Sequence, residues 1–157
     1  MLRIEPYNDS HHGAFRALNM EWLLRYNLAE EPDLRVLSDP RGEIIERGGF
    51  IWVALNNDVV VGTAALVREA NHCYELAKMS VAPEFRGLGL GRKLIETCID
   101  KARALGAEKV ELFSNHQLAS ALKLYERVGF NYVPVSNSPF ETADIKMELI
   151  LKSEELR

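Results

Sequence analysis

The chain has 157 residues, 47% of them hydrophobic and 27% charged. That is about one domain's length with enough apolar residues for a core of its own, and it excludes wholesale disorder. The 19 Lys and Arg against 23 Asp and Glu leave a net charge of −4, which argues against a sequence-blind nucleic-acid binder with a basic surface. Cys73 and Cys98 come without a CxxC or a Cys/His cluster, so no metal site is expected and both read as reduced, buried thiols. The Met-Leu-Arg-Ile-Glu-Pro start has no apolar h-region, and no apolar run reaches membrane-span length. The expectation is a cytoplasmic protein with no membrane or nucleic-acid partner, residues 1–157 forming a single domain.

Leu2 and Ile4 alternate with polar neighbours, a short opening strand. Asp9 or Ser10 is suited to cap a helix, whose stripe would be Phe15, Leu18 and Trp22, with Tyr26 extending it. Residues 27–49 are less regular; Pro32 suits the first turn of a short helix, and Pro40 interrupts the chain after it. Phe50 to Leu55 and Val59 to Val67 read as two strands around the Asn56-Asn57-Asp58 turn, and Cys73 to Val81 as a third. From Gly89 to Leu105 the period becomes helical, with Leu90, Leu94, Ile95, Cys98, Ile99 and Ala102 on one face and Gly106 as the stop. Val110 to Phe113 is a strand. Leu118, Ala121, Leu122 and Tyr125 share a helical face that ends at Gly129. Strands at Tyr132-Val133 and across Ile145, Met147, Leu149 and Leu151 close the chain. The order describes an α/β mixture with an antiparallel hairpin region and one strand–helix–strand crossover.

The most informative stretch is Arg86-Gly87-Leu88-Gly89-Leu90-Gly91-Arg92, between a strand and an amphipathic helix. Glycines at alternate positions admit φ > 0 and let backbone N–H groups face one point, while the next helix adds its N-terminal dipole. Such a loop suits a pyrophosphate, with Arg86 and Arg92 flanking it. It is not a Walker loop, because Arg92-Lys93-Leu94 replaces the required Lys-Ser/Thr, and it is not a dinucleotide fingerprint, because Arg92 occupies the third glycine position.

Arg86-x-x-Gly89-x-Gly91 resembles the Arg/Gln-x-x-Gly-x-Gly/Ala motif of the GNAT acyl-CoA N-acyltransferases. Glu75 to Pro83 is similar to the strand that enters that loop. Ser114-Asn115 and Ala121 to Phe130, with Tyr125-Glu126-x-x-Gly129-Phe130, resemble the second family block. The resemblance spans residues 50–134. It implies a mixed, mostly antiparallel, splayed central sheet with helices on both faces, and acetyl-CoA as cosubstrate. Backbone groups near Met79 and Val81 would pair with the pantetheine, amides from Arg86 to Gly91 would hold the pyrophosphate, and Asn115 would reach the pantetheine arm.

The reaction implied is direct attack of a primary amine on the thioester. Glu75 is the candidate base, a backbone N–H near Met79 the candidate oxyanion donor, and Tyr125 the candidate acid for the departing thiolate. Each has a plainer alternative: Glu75 as a strand carboxylate paired with a cation, Tyr125 as core, and Asn115 as the N-cap of the next helix. On the first helix, Glu21, Trp22 and Tyr26, followed by Glu30-Glu31, are candidates for a carboxylate and aromatic rim that receives the amine; the alternative puts Trp22 in the core and the glutamates on a solvated face. The alternative function is a non-catalytic acyl-CoA-binding or sensing module of the same fold. A homodimer is expected by analogy, and the acceptor is read only as a small-molecule or peptide amine.

Overall fold

The computed structural model describes residues 1–151; the final six residues of the expected domain lie outside the described residues. The chain runs β1 (Leu2–Pro6), α1 (His12–Arg25), α2 (Glu31–Ser38), β2 (Phe50–Asn56), β3 (Val59–Arg68) and β4 (Cys73–Val81). It continues through α3 (Leu90–Ala104), β5 (Lys109–Ser114), α4 (Ala119–Val128), β6 (Asn131–Val133) and β7 (Ile145–Ile150). The strands form one sheet in the order β1-β2-β3-β4-β5-β7-β6. All pairings are antiparallel except β4 with β5. That parallel pair needs a crossover, and α3 supplies it.

Alternation along the strands sends apolar side chains to both faces, so there are two cores. Leu94, Ile95, Cys98, Ile99 and Ala102 of α3 pack with Leu76, Val110, Leu112 and Met147 on one face. Phe15, Leu23 and Leu37 of α1 and α2 pack with Ile51, Val53 and Ala65 on the other. Both cysteines are free and buried, and burial pushes the Cys73 thiol up to about 12. No described helix is long and apolar enough to cross a membrane.

Two local expectations are corrected and one is met. Neither Asp9 nor Ser10 caps a helix: the Asn8 side chain accepts from Ser10 N and caps the short 3-10 turn Asp9–His11, from which α1 continues without a side-chain cap. Pro32 does sit in the first turn of a short helix, α2, where Asp33 Oδ2 accepts from Glu30 N at 3.0 Å, and the less regular stretch that follows adds a π-turn over Arg41–Ile45. The buried stripe of α1 is Phe15, Asn19 and Leu23, not Phe15, Leu18 and Trp22. Asn19 is fully buried because its amide is hydrogen-bonded on both sides, and this rotates Trp22 to a half-buried position.

Candidate active site

The sheet opens along β4 and β5. Their registered pairs are Cys73 with Lys109, Tyr74 with Val110, and Glu75 with Glu111; from Leu76 to Val81 the edge of β4 has no β5 partner. Beyond the fork β5 stays in register with β7 as far as Ser114. The result is a wedge with one side of β4 free, the geometry in which an extended group adds as a strand.

Within that free stretch β4 carries a bulge. Thr63 pairs with Ser80 and Ala65 with Ala77, so Lys78 and Met79 together oppose Ala64. Lys78 has φ +51, a left-handed backbone that a side chain disfavours by about 1–2 kcal/mol. Several contacts hold it there. The Thr63 hydroxyl donates to the Lys78 carbonyl at 2.8 Å. The buried Lys78 ammonium meets Asp33 of α2 at 2.5 Å and lies 5.2 Å from the Phe140 ring centroid.

At the exit of β4 lies the glycine loop. Gly87 and Gly89 have φ of +78° and +81°, conformations that glycine adopts freely. From Gly87 to Arg92 no backbone amide donates to a protein acceptor among the described residues, and the last three of these open α3, where no intrahelical acceptor exists. This is a row of free donors at the positive end of a 15-residue helix, a cradle for an anion. A Cβ on Gly91 would sit 3.2 Å from Leu124 Cδ2, so a side chain there would require that methyl of α4 to shift by a few tenths of an ångström. Arg86 turns toward α1: its Nε donates to the Val81 carbonyl and its Nη2 lies 3.6 Å from Glu21. Arg92 is exposed and paired with Glu96 at 3.1 Å.

On the α1/α2 side of the wedge is a cavity of about 70 Å³, with Trp22, Asp33, Glu75, Lys78, Phe113 and Phe140 among its lining residues. Glu75 is almost wholly buried there. Burial first, and then the nearby Glu69 carboxylate, push its carboxyl up to about 8, although Lys78 draws it down. A carboxyl held near the working pH is matched to accepting and releasing a proton.

Tyr125 comes from the opposite face, on α4, packed edge-on against Phe130 at 5.9 Å. Burial raises its phenol further above the ordinary value, so it stays protonated. No hydrogen-bond partner takes its hydroxyl among the described residues, where every fully buried polar side-chain atom has one, so the hydroxyl is not sealed off in the core. Nor does Tyr125 line the Glu75 cavity. Asn115 lies in the cavity wall at the end of β5. Its Oδ1 accepts from Gln117 N at 3.0 Å and its Nδ2 donates to the Thr142 carbonyl at 2.8 Å. It is therefore not the N-cap of α4, which is Leu118; it ties β5 to the 140s loop.

Glu21 and Tyr26 do not line the cavity. Glu21 is engaged by Arg25 and Arg86, and the Tyr26 carbonyl accepts from Gln117. Among the cavity residues that sequence reasoning missed are Asp33, Lys78, Phe113 and Phe140. The available signal was Lys78 itself, a cation within a largely apolar strand, which needs an anion when buried.

A splayed sheet with an amide cradle at one end of the gap and a titratable cavity on its far side defines an acyl-CoA-dependent transferase. The model of the acetyltransferase (GNAT) family matches residues 14–130, and the chain belongs to that family. A Bacillus subtilis (strain 168) protein, the uncharacterized N-acetyltransferase YvbK, is 28% identical over 131 residues, covering 78% of this chain and 84% of that protein. The GNAT-family acetyltransferase of Staphylococcus aureus Mu50 superposes with a TM-score of 0.90 at 24% identity, covering 97% of this chain and all of that one (100%). The PaiA N-acetyltransferase of Thermoplasma acidophilum, solved in complex with coenzyme A, has a TM-score of 0.77 at 15% identity, covering 96% of this chain and 99% of that one. The protein is an acetyltransferase.

Proposed function

We propose that the protein transfers an acetyl group from acetyl-CoA to a primary amine by direct attack, with no acyl-enzyme intermediate. The observation that carries this is the parting of β4 from β5 immediately beyond Glu75 and Glu111, with the unpaired amides of Gly87 to Arg92 at the open end. The residues fit acetyl-CoA: the cradle is shaped for a pyrophosphate, the free edge of β4 offers Met79 and Val81 backbone groups to an extended pantetheine, and a related fold has been solved with coenzyme A. Bound there, it supplies an activated acyl group.

The chain's own groups then divide the work. Glu75, ionised, takes the proton that the amine must lose. The Met79 N–H, at the bulge, faces the carbonyl oxygen as charge develops on it. The Tyr125 hydroxyl donates to the departing sulfur from the α4 side. Asn115 holds the 140s loop against the wedge and keeps one amide hydrogen for the pantetheine arm.

Titration calorimetry with acetyl-CoA is the first test. Saturable one-to-one binding, weakened by Gly89→Asp, is the expected result; thiol release on adding amines then reports turnover. A folded protein that binds no acetyl-CoA overturns the proposal. Binding without thiol release from any amine points instead to a sensing module.

A further inference from the structure

Thr63 lies on β3, fully buried, with no direct access to the wedge. Its hydroxyl is the middle of an ordered chain of hydrogen bonds. Trp22 Nε1 donates to Asn19 Oδ1 at 3.1 Å. Asn19 Nδ2 donates to the Phe15 carbonyl at 2.9 Å and to Thr63 Oγ1 at 3.1 Å. Thr63 Oγ1 donates to the Lys78 carbonyl at 2.8 Å. One proton direction satisfies every member, because Thr63 can give its single hydrogen to Lys78 only if it accepts from Asn19.

The Lys78 carbonyl and the Met79 N–H belong to one planar trans peptide and point in opposite directions. Anchoring the carbonyl toward Thr63 therefore aims the N–H away from it. Neither Lys78 nor Met79 has a registered partner on β3, so the ladder itself does not orient this peptide. The left-handed Lys78 persists because its surroundings determine it: Thr63 holds the backbone and Asp33 holds the side chain.

We infer that Thr63, oriented by Asn19 and Trp22, is a positioning residue that fixes the Lys78–Met79 peptide so that the Met79 amide faces the reacting carbonyl. This rests on the acetyl-transfer reading above. It also links the Glu75 cavity to the oxyanion donor, since Trp22 is part of the cavity wall.

The test compares wild type with Thr63→Val, which keeps the shape and loses the hydroxyl, and with Thr63→Ser, which keeps the hydroxyl. Two readouts are taken: steady-state turnover of an amine, and the Met79 amide signal in a nitrogen-15 NMR spectrum of acetyl-CoA-saturated protein. Thr63→Val is expected to lower kcat at least about tenfold, because a misplaced oxyanion donor loses most of its value. Its acetyl-CoA Kd is expected to stay within about threefold of wild type, because the pyrophosphate cradle is untouched. The Met79 signal shifts, and Thr63→Ser restores both readouts. If Thr63→Val does not fold, Trp22→Phe removes the first donor of the chain, and the same two readouts are expected to move in the same direction. A folded Thr63→Val, or Trp22→Phe in its place, with wild-type kcat and an unmoved Met79 signal overturns the inference while leaving the acetyl-transfer reading intact. Wild-type protein that binds no acetyl-CoA removes that reading, and the positioning role with it.

Discussion

Glu75 stands opposite Glu111 at the last paired rung of β4 and β5, and the strands separate immediately beyond it. A carboxyl at the vertex of the wedge meets little water and has other carboxylates near it. Glu111 has a partner in Lys146 at 3.6 Å, whereas Glu75 keeps its proton to about 8. The sheet topology that opens the cofactor gap thus also tunes the candidate base.

This sets a pH dependence for turnover. The base form is the ionised one, so at saturating substrates kcat is expected to rise about tenfold per pH unit on the acid side and to level off above about 8. Glu75→Gln abolishes that limb and lowers the plateau by about 100-fold, within the usual range for a general base. A pH–rate profile on wild type and variant checks it, with an acceptor amine of low pKa so that its own ionisation does not imitate the limb. An unchanged limb in Glu75→Gln removes the assignment.

The same group has a stability consequence of definite sign. Its native value near 8 exceeds the ordinary 4.5, so between those pH values the folded state binds more protons than the unfolded chain. Stability on this account is fullest below about 4.5 and is lost as pH rises through about 8. Glu75→Gln, which cannot ionise, is expected to melt higher than wild type at pH 9 by more than it does at pH 5. Thermal melts at the two pH values decide it, and an equal difference at both contradicts it.

At the cradle, charge and backbone strain separate cleanly. A Cβ at Gly89 meets nothing within 4 Å, so the cost of a side chain there is its φ of +81°. Asn and Asp both tolerate that region better than other residues, and they differ in charge. Gly89→Asn is expected to retain most acetyl-CoA affinity, and Gly89→Asp to lose at least about tenfold more, the loss easing in high salt. Calorimetry at two salt concentrations measures this. Equal affinities for the two variants would mean that the loop does not hold the phosphates.

Tyr125→Phe removes one hydroxyl that no described protein group uses. Packing against Phe130 is retained, so the fold is expected to be unaffected. If the phenol protonates the leaving thiolate, kcat falls by about 100-fold while the acetyl-CoA Kd changes little. Single-turnover thiol release separates the two quantities. Turnover at the wild-type rate assigns Tyr125 to the core alone.

The features readable in the sequence were local. Gly87, Gly89 and Gly91 carry their meaning within a few residues, and the strand–loop–helix around them fixes where the cradle falls. The hidden features were long-range pairs. Lys78 meets Asp33 across 45 positions, and Thr63 meets Asn19 across 44. No period or spacing marks such partners, and Asp33 and Asn19 look like surface residues on helices until the sheet is assembled beside them. Trp22 shows the same limit: its place in an apolar stripe suited the core as well as an aromatic rim, and only the buried Asn19, which takes the core place and accepts from the indole, leaves Trp22 lining the cavity.

The Lys78–Asp33 pair gives the last prediction. Both side chains are buried, at 6% and 4% exposure, so neither charge has water to fall back on if its partner is removed. Asp33→Ala leaves an ammonium stranded beside the bulge, a loss of about 3–5 kcal/mol for a broken buried pair. Lys78→Met alone strands the carboxylate with a comparable loss, whereas Asp33→Ala with Lys78→Met strands no charge and, although it still loses the Asp33 bond to Glu30 N, is expected to recover much of it. The double variant still lacks the side-chain anchor of a left-handed residue, so its regained stability is not matched by regained turnover. Denaturant unfolding and kcat on the three variants test both halves. A double variant that recovers activity together with stability would show that Asp33 serves the fold and that Thr63 alone suffices to hold the peptide.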